Sequence, residues 1–428
     1  MLDRTQQPQI NEFKNFKMAR ATTYTLDNGI KLYLLNQGEE EVVRIDWMIR
    51  AGSCYQSQKL TAHFANSLIK EGCRTLNSAE IAEQLDFYGS WLHLTNSHQY
   101  AYVTLYALNR HLPTILALAE EMIFHATLPE KEFATLKEIL RKKMEIDQTK
   151  VDYLSNRQFK EIIYGADHLY GKNAKIEDID KLDLAQIRQF YQTHYNTRNT
   201  QIFVAGKITP EVEKTLLAAF NKIEATGEPL EGYVSQEPQP AQEKKFFIEK
   251  ADSVQSSVII GKPMVNRKHP DHTKLNVLNT VLGGYFGSRL MTNIREEKGY
   301  TYGINSYLVT YPEFGHFKIS SQTGNEFTQP LIEEVFHEIE KLRTELIPQE
   351  ELDMVKMYLL GEHLRTMDSG LNLVDLLISL VGHKQSYDYY DKMAEEIKET
   401  TSEELLELAQ KYLDPSSFFV VVAGAKSK

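Results

Sequence analysis

Cysteine is nearly absent from this chain: Cys54 and Cys73 are the only two. That excludes a disulfide scaffold and suits a reducing compartment. With no second pair, the two also form no zinc-ribbon pattern. Excess positive charge is missing as well. Lys and Arg number 48 against 59 Asp and Glu, a net charge of −11, which argues against nucleic acid as a partner. No apolar run approaches the ~18 residues needed to cross a bilayer, so no membrane span is expected. The start, Met1 to Pro8, has no apolar core of a signal peptide. The chain therefore reads as cytoplasmic, or as periplasmic if a signal peptide has already been removed. A phosphate loop is lacking too. Gly283-Gly284-Tyr285-Phe286-Gly287 has no Gly-Lys-Ser/Thr ending and follows a helical pattern rather than a strand.

What is present is an ordinary globular composition, 42% hydrophobic and 25% charged over 428 residues. That length exceeds what one core usually supports. A Pro-, Gly- and Glu-rich stretch over 227–242 reads as a linker between domains 1–226 and 243–428. The halves echo each other across it. Leu128-Pro129-Glu130 recurs as Ile347-Pro348-Gln349, and Val204-Ala205-Gly206 recurs as Val422-Ala423-Gly424 at nearly the same spacing. Two anchors whose offsets agree to one residue indicate internal duplication. A hairpin is expected around Asn28-Gly29, and Val43, Ile45, Trp47 and Ile49 read as a half-buried strand. Helices are expected over about 79–88, from Pro113 to His125, from Glu130 past Lys143, and from Asp183. Asp271 reads as the N-cap of the helix carrying Leu275, Leu278 and Leu282. The fold class is α+β: two tandem homologous domains, each a mainly antiparallel sheet covered on one face by helices.

His63-Phe64-Ala65-Asn66-Ser67, followed by Leu68-Ile69-Lys70-Glu71-Gly72, resembles the zinc-binding helix of the insulinase-like (M16) metallopeptidases. There His-x-x-Glu-His places two ligands one helical turn apart, with the Glu as general base. The resemblance puts His63 at the first ligand, Asn66 at the base and Ser67 at the second ligand. It puts the third ligand, a Glu in the family, at Lys142 or Lys143, with Glu138 and Glu145 one turn to either side. Catalytic zinc usually needs three protein ligands plus an open position. No metal is therefore expected in this chain, and His63 reads as an imidazole left from an ancestral site.

A second motif is intact. Ser288 to Gly303 matches the family's C-terminal signature, in which an Arg and a Tyr seven residues later hold the substrate backbone. The matching positions are Arg295 and Tyr302. A guanidinium offers several fixed donors to a peptide carbonyl and a phenol adds one. The resemblance implies a non-catalytic, substrate-binding subunit of a heterodimeric zinc endopeptidase acting on unfolded or short peptides. A homologous partner carrying His-x-x-Glu-His would supply zinc and base. Its rivals are a structural or assembly protein derived from such a peptidase, and a self-sufficient peptidase with an atypical metal site.

Overall fold

A computed structural model describes residues 17–230 and 232–426. The Met1–Pro8 stretch read above lies outside the described residues. The first half contains strands β1 (Thr22–Thr25), β2 (Lys31–Asn36), β3 (Val42–Ile49), β4 (Trp91–Asn96), β5 (Ala101–Leu108) and β6 (Thr200–Gly206). Its helices are α1 (Thr61–Leu68), α2 (Ser78–Phe87), α3 (Leu112–Phe124), α4 (Glu130–Asp147), α5 (Val151–Tyr164), α6 (Ile176–Asp180), α7 (Leu184–His194) and α8 (Pro210–Lys222). The second half has β7 (Lys245–Glu249), β8 (Gln255–Met264), β9 (Thr301–Thr310), β10 (Gly315–Gly324) and β11 (Phe419–Gly424). With them come α9 (His272–Asn279), α10 (Thr328–Thr344), α11 (Gln349–Met367), α12 (Gly370–Gly382), α13 (Asp388–Glu399) and α14 (Ser402–Tyr412).

Each half builds one sheet, in the order β1-β2-β6-β3-β5-β4 and β7-β11-β8-β10-β9. All pairings are antiparallel except β2 with β6 and its counterpart β7 with β11. Helices α4 and α5 of the first half begin at Glu130 and Val151, and α11 and α12 repeat them from Gln349 and Gly370 at the same spacing. The repeated Val-Ala-Gly closes both last strands for a steric reason. A Cβ on Gly206, at φ +134°, would meet the Val42 carbonyl at 2.3 Å, and one on Gly424 would meet the Ser256 hydroxyl at 2.1 Å.

The expected layers are present, with one addition. Both sheets carry their own helices on one face, but the opposite face is covered by a helix from the other half. Leu373, Val374, Leu377 and Leu380 of α12 pack on Leu35, Met48, Phe203 and Ala205 of the first sheet. Phe159 and Ile163 of α5 pack on Ile259, Phe419 and Val421 of the second. Strand β3 is consequently not half-buried. Asp46 and Met48 are as enclosed as Ile45 and Trp47. Arg44 ties the arrangement together, its Nη2 donating to Asp46 Oδ1 at 3.1 Å and to Asp375 Oδ1 of α12 at 2.5 Å. Asp271 holds the expected N-cap position of α9, but its side chain makes no capping bond and instead accepts from Lys411 Nζ at 2.8 Å and Tyr412 Oη at 2.6 Å. Residues 232–242 contain no helix or strand, yet they are pinned: Gln239 and Ala241 donate their backbone N–H groups to Tyr164 and Ile162 of α5.

Candidate functional site

Helix α1 rests on Phe64, Ala65 and Leu68 in the first core, so its register is fixed by apolar contacts. That register turns His63 outward and Asn66 inward. The Asn66 side chain is fully enclosed and its hydrogen bonds are assigned. Its Nδ2 donates to the Thr95 carbonyl at 2.9 Å and lies 3.4 Å from the Tyr102 carbonyl, while its Oδ1 accepts from the buried Tyr195 hydroxyl at 3.1 Å. A carboxylate in this place could not donate to either carbonyl. Asn66 is therefore a strut joining α1 to β4, β5 and the end of α7, not a proton acceptor. Tyr195 gives no signal of this role in the sequence.

His63 lies beside α4. Desolvation by the protein behind it, then the positive charge of Lys143, hold its imidazole below the ordinary histidine range. Of the two lysines, Lys143 is the one whose charge acts on His63. Glu138 is turned toward Arg141, 3.9 Å away. Among the described residues, no group of three or more His, Cys, Asp or Glu side chains is placed to hold a metal ion. The residues present do not fit zinc. One imidazole stands next to an ammonium, and the neighbouring amide is committed to carbonyls.

The second motif sits on a different frame. The chain from Met291 to Glu297 winds as a π-helix, with Lys298 N–H reaching the Asn293 carbonyl five residues back at 3.1 Å. Buried Met291 and Ile294 anchor it in the second core, and Asn293 Nδ2 donates to Glu338 at 2.7 Å. The start of β9 is clamped onto β10: Thr301 Oγ1 donates to the Gln322 carbonyl at 2.6 Å and Ser321 Oγ to the Gly303 carbonyl at 2.9 Å. This rigid support presents two side chains that do little else. Tyr302 is 92% exposed at the start of edge strand β9. Arg295 lies 4.6 Å over the ring of Phe286 and, among the described residues, makes no ion pair, not even with its neighbours Glu296 and Glu297. Phe286, itself 62% exposed, was not singled out by the sequence pattern.

Residues 32–170 match the family description "Insulinase (Peptidase family M16)" and residues 181–359 match "Peptidase M16 inactive domain". The chain belongs to the M16 peptidase family. Among its M16 relatives, the Bacillus subtilis protein named uncharacterized zinc protease YmxG is 26% identical, over 81% of this chain and 84% of its own. A Helicobacter pylori protein named non-peptidase homolog YmxG is 25% identical over 71% of both chains. The crystal structure of a peptidase M16 inactive domain from Pseudomonas fluorescens shares the fold, with a TM-score of 0.85, 23% identity, and coverage of 96% of this chain and 100% of that one. The sequence resemblance puts His63, Asn66, Ser67 and either Lys142 or Lys143 at the positions where the metallopeptidase pattern has three ligands and a base.

Proposed function

We propose that this chain is an M16 subunit that binds peptide but does not cleave it alone. In this reading it completes a heterodimeric zinc endopeptidase whose homologous partner brings His-x-x-Glu-His. The observation that carries the reading is the state of Arg295 and Tyr302. Among the described residues, the π-helix holds a half-buried cation without a counter-ion, and the start of β9 exposes a phenol without an acceptor. Evolution toward a mere scaffold offers no reason to keep both. An unfolded or short peptide would add along the free edge of β9, held by main-chain hydrogen bonds with little sequence selectivity. Arg295 and Tyr302 would then hold the carbonyl at the bond the partner cuts.

Reconstitution tests this. Co-expression with a His-x-x-Glu-His homologue from the same genome should give a stable complex burying more than ~1,000 Å². It should cleave an unstructured peptide that neither chain cleaves alone. Arg295→Ala or Tyr302→Phe should leave assembly intact and slow cleavage by about 10²–10³-fold, the usual loss for one oxyanion-type donor. Arg295→Lys, which keeps charge but not the planar fork, should recover only part of the rate. Wild-type rates in both single variants, or independent migration of every homologue, would leave a structural or assembly role as the better reading.

A further inference from the structure

Beside β9, two lysines stand without an acidic partner in a chain that carries 11 more acidic than basic side chains. Lys160 follows Asn156 by one turn on α5, so the two share a helix face. Lys318 of β10 reaches up to that face, donating to Asn156 Oδ1 at 3.1 Å, and its ammonium sits 5.4 Å from the centre of the Tyr307 ring. Tyr307 is its direct cross-strand partner on β9, beyond which the sheet has a free edge. Both lysines are half-buried, and neither has a carboxylate within ion-pair distance among the described residues. One donor of Lys318 is used, and none of Lys160 is.

The surroundings are of one sign. Burial lowers both ammonium groups, with Lys160 adding to the effect on Lys318. His316 and His98 next to them are held neutral, pushed down to about 3 and about 4 by burial first and by these lysines second. A half-desolvated pair of cations with unused donors is a receptor for a carboxylate, because the anion would relieve both the repulsion and the missing hydrogen bonds.

Its position supplies the register. Tyr307 is five residues from Tyr302 along β9, about 17 Å at strand rise. On a peptide added to that edge, the residue opposite Tyr307 turns its side chain to the face that Tyr307 and Lys318 occupy. We propose that Lys160 and Lys318 form a specificity subsite for a peptide carboxylate about five residues from the position facing Tyr302. The chain would thus favour substrates carrying an acidic side chain, or a chain end, at that distance. The proposal rests on the peptide-binding reading above.

The test uses the full chain and short fluorescein-labelled unstructured peptides, read by anisotropy. One series is C-terminally amidated with a single Glu walked along it, each paired with its Gln counterpart; a second has no acidic residue but a free C-terminal carboxylate. A Glu at one position should tighten binding about tenfold over Gln. Lys160→Met/Lys318→Met should erase that difference while leaving the Gln peptides unchanged, and Lys318→Arg should keep it. Preference for the free C-terminus alone assigns the subsite to chain ends. Equal binding of Glu and Gln peptides with no gain from a free end, no binding at all, or a preference that survives the double substitution overturns the subsite. A lysine-dependent preference without cleavage by any reconstituted complex removes the heterodimer reading and leaves the subsite standing; cleavage without preference does the reverse.

Discussion

At the scale of single residues, the position that resembles the family's general base serves a structural contact. Asn66 gives its amide to the Thr95 carbonyl and receives the Tyr195 hydroxyl in a buried pocket. Restoring the family base by Asn66→Glu should therefore destabilise the fold by about 3 kcal/mol, because an uncompensated carboxylate would face carbonyl oxygens. Urea unfolding measures it; an unchanged midpoint would show that the pocket adapts. Asn66→Glu/Ser67→His should still bind no stoichiometric zinc by metal analysis, since Lys143 keeps its charge beside His63. If Lys143 holds the third-ligand position, the further change Lys143→Glu should supply the missing carboxylate. The buried role of Asn66 was not legible in the sequence, because Tyr195 comes from a distant part of the chain. A second residue prediction concerns His316, buried against Tyr164, whose hydroxyl lies 2.9 Å from Nδ1. Its pKa, pushed down to about 3, lies below the unfolded value of about 6.5, so between these values the unfolded chain binds more protons. The stability from its neutral form is complete above about pH 6.5 and falls by roughly 1.4 kcal/mol per unit below it. His316→Asn should flatten the dependence of melting temperature on pH between 7 and 5. An equally steep slope in the variant would show that His316 does not titrate on unfolding.

At the scale of elements, the exchanged helices explain where pattern reading stops. Alternation over Val43, Ile45, Trp47 and Ile49 correctly placed one face of β3 in a core. The other face holds Met48 and Asp46, and nothing nearby in sequence announces that α12, from the far half of the chain, will cover them. Elements set by local signals came out closely. Asp183 caps α7, Pro113 sits in the first turn of α3, and the Asn28-Gly29 turn joins β1 to β2. Asp271 keeps the N-cap position, but its side chain turns to Lys411 and Tyr412, which arrive through tertiary contact. The exchange also predicts action at a distance in sequence. Leu377→Ala in α12 should cost about 2–5 kcal/mol. It should speed amide exchange in β3 and β6, which belong to the first half, more than in β8 and β10. Faster exchange confined to the second half would mean that α12 is not what closes the first sheet.

At the scale of the whole molecule, duplication and exchange together make the two halves depend on each other. The sequence repeat identified two homologous units, and read alone it suggests that each could fold by itself. Their packing argues otherwise. Without the second half, the first sheet would expose Leu35, Met48, Phe203 and Ala205; without the first half, the second would expose Ile259, Phe419 and Val421. Each is a contiguous apolar face of the kind that drives aggregation. Covalent continuity should matter much less than this mutual cover. The segment between the halves is bonded to α5 through Gln239 and Ala241, whereas Val234 is 86% exposed, so a protease site inserted there should be cut without disturbing either sheet. The cut chain should elute from size exclusion as one species of unchanged volume, and its two fragments should separate only in denaturant. Residues 1–226 or 243–428 expressed alone should be insoluble or molten, and their co-expression should rescue both. Independent elution of two folded fragments would mean that the exchanged helices contribute little, and that the halves could open about the linker to admit substrate. If the nicked chain holds together, the halves do not open about the linker, and under the proposed heterodimer access to β9 and to Arg295 would come from how this chain meets its partner.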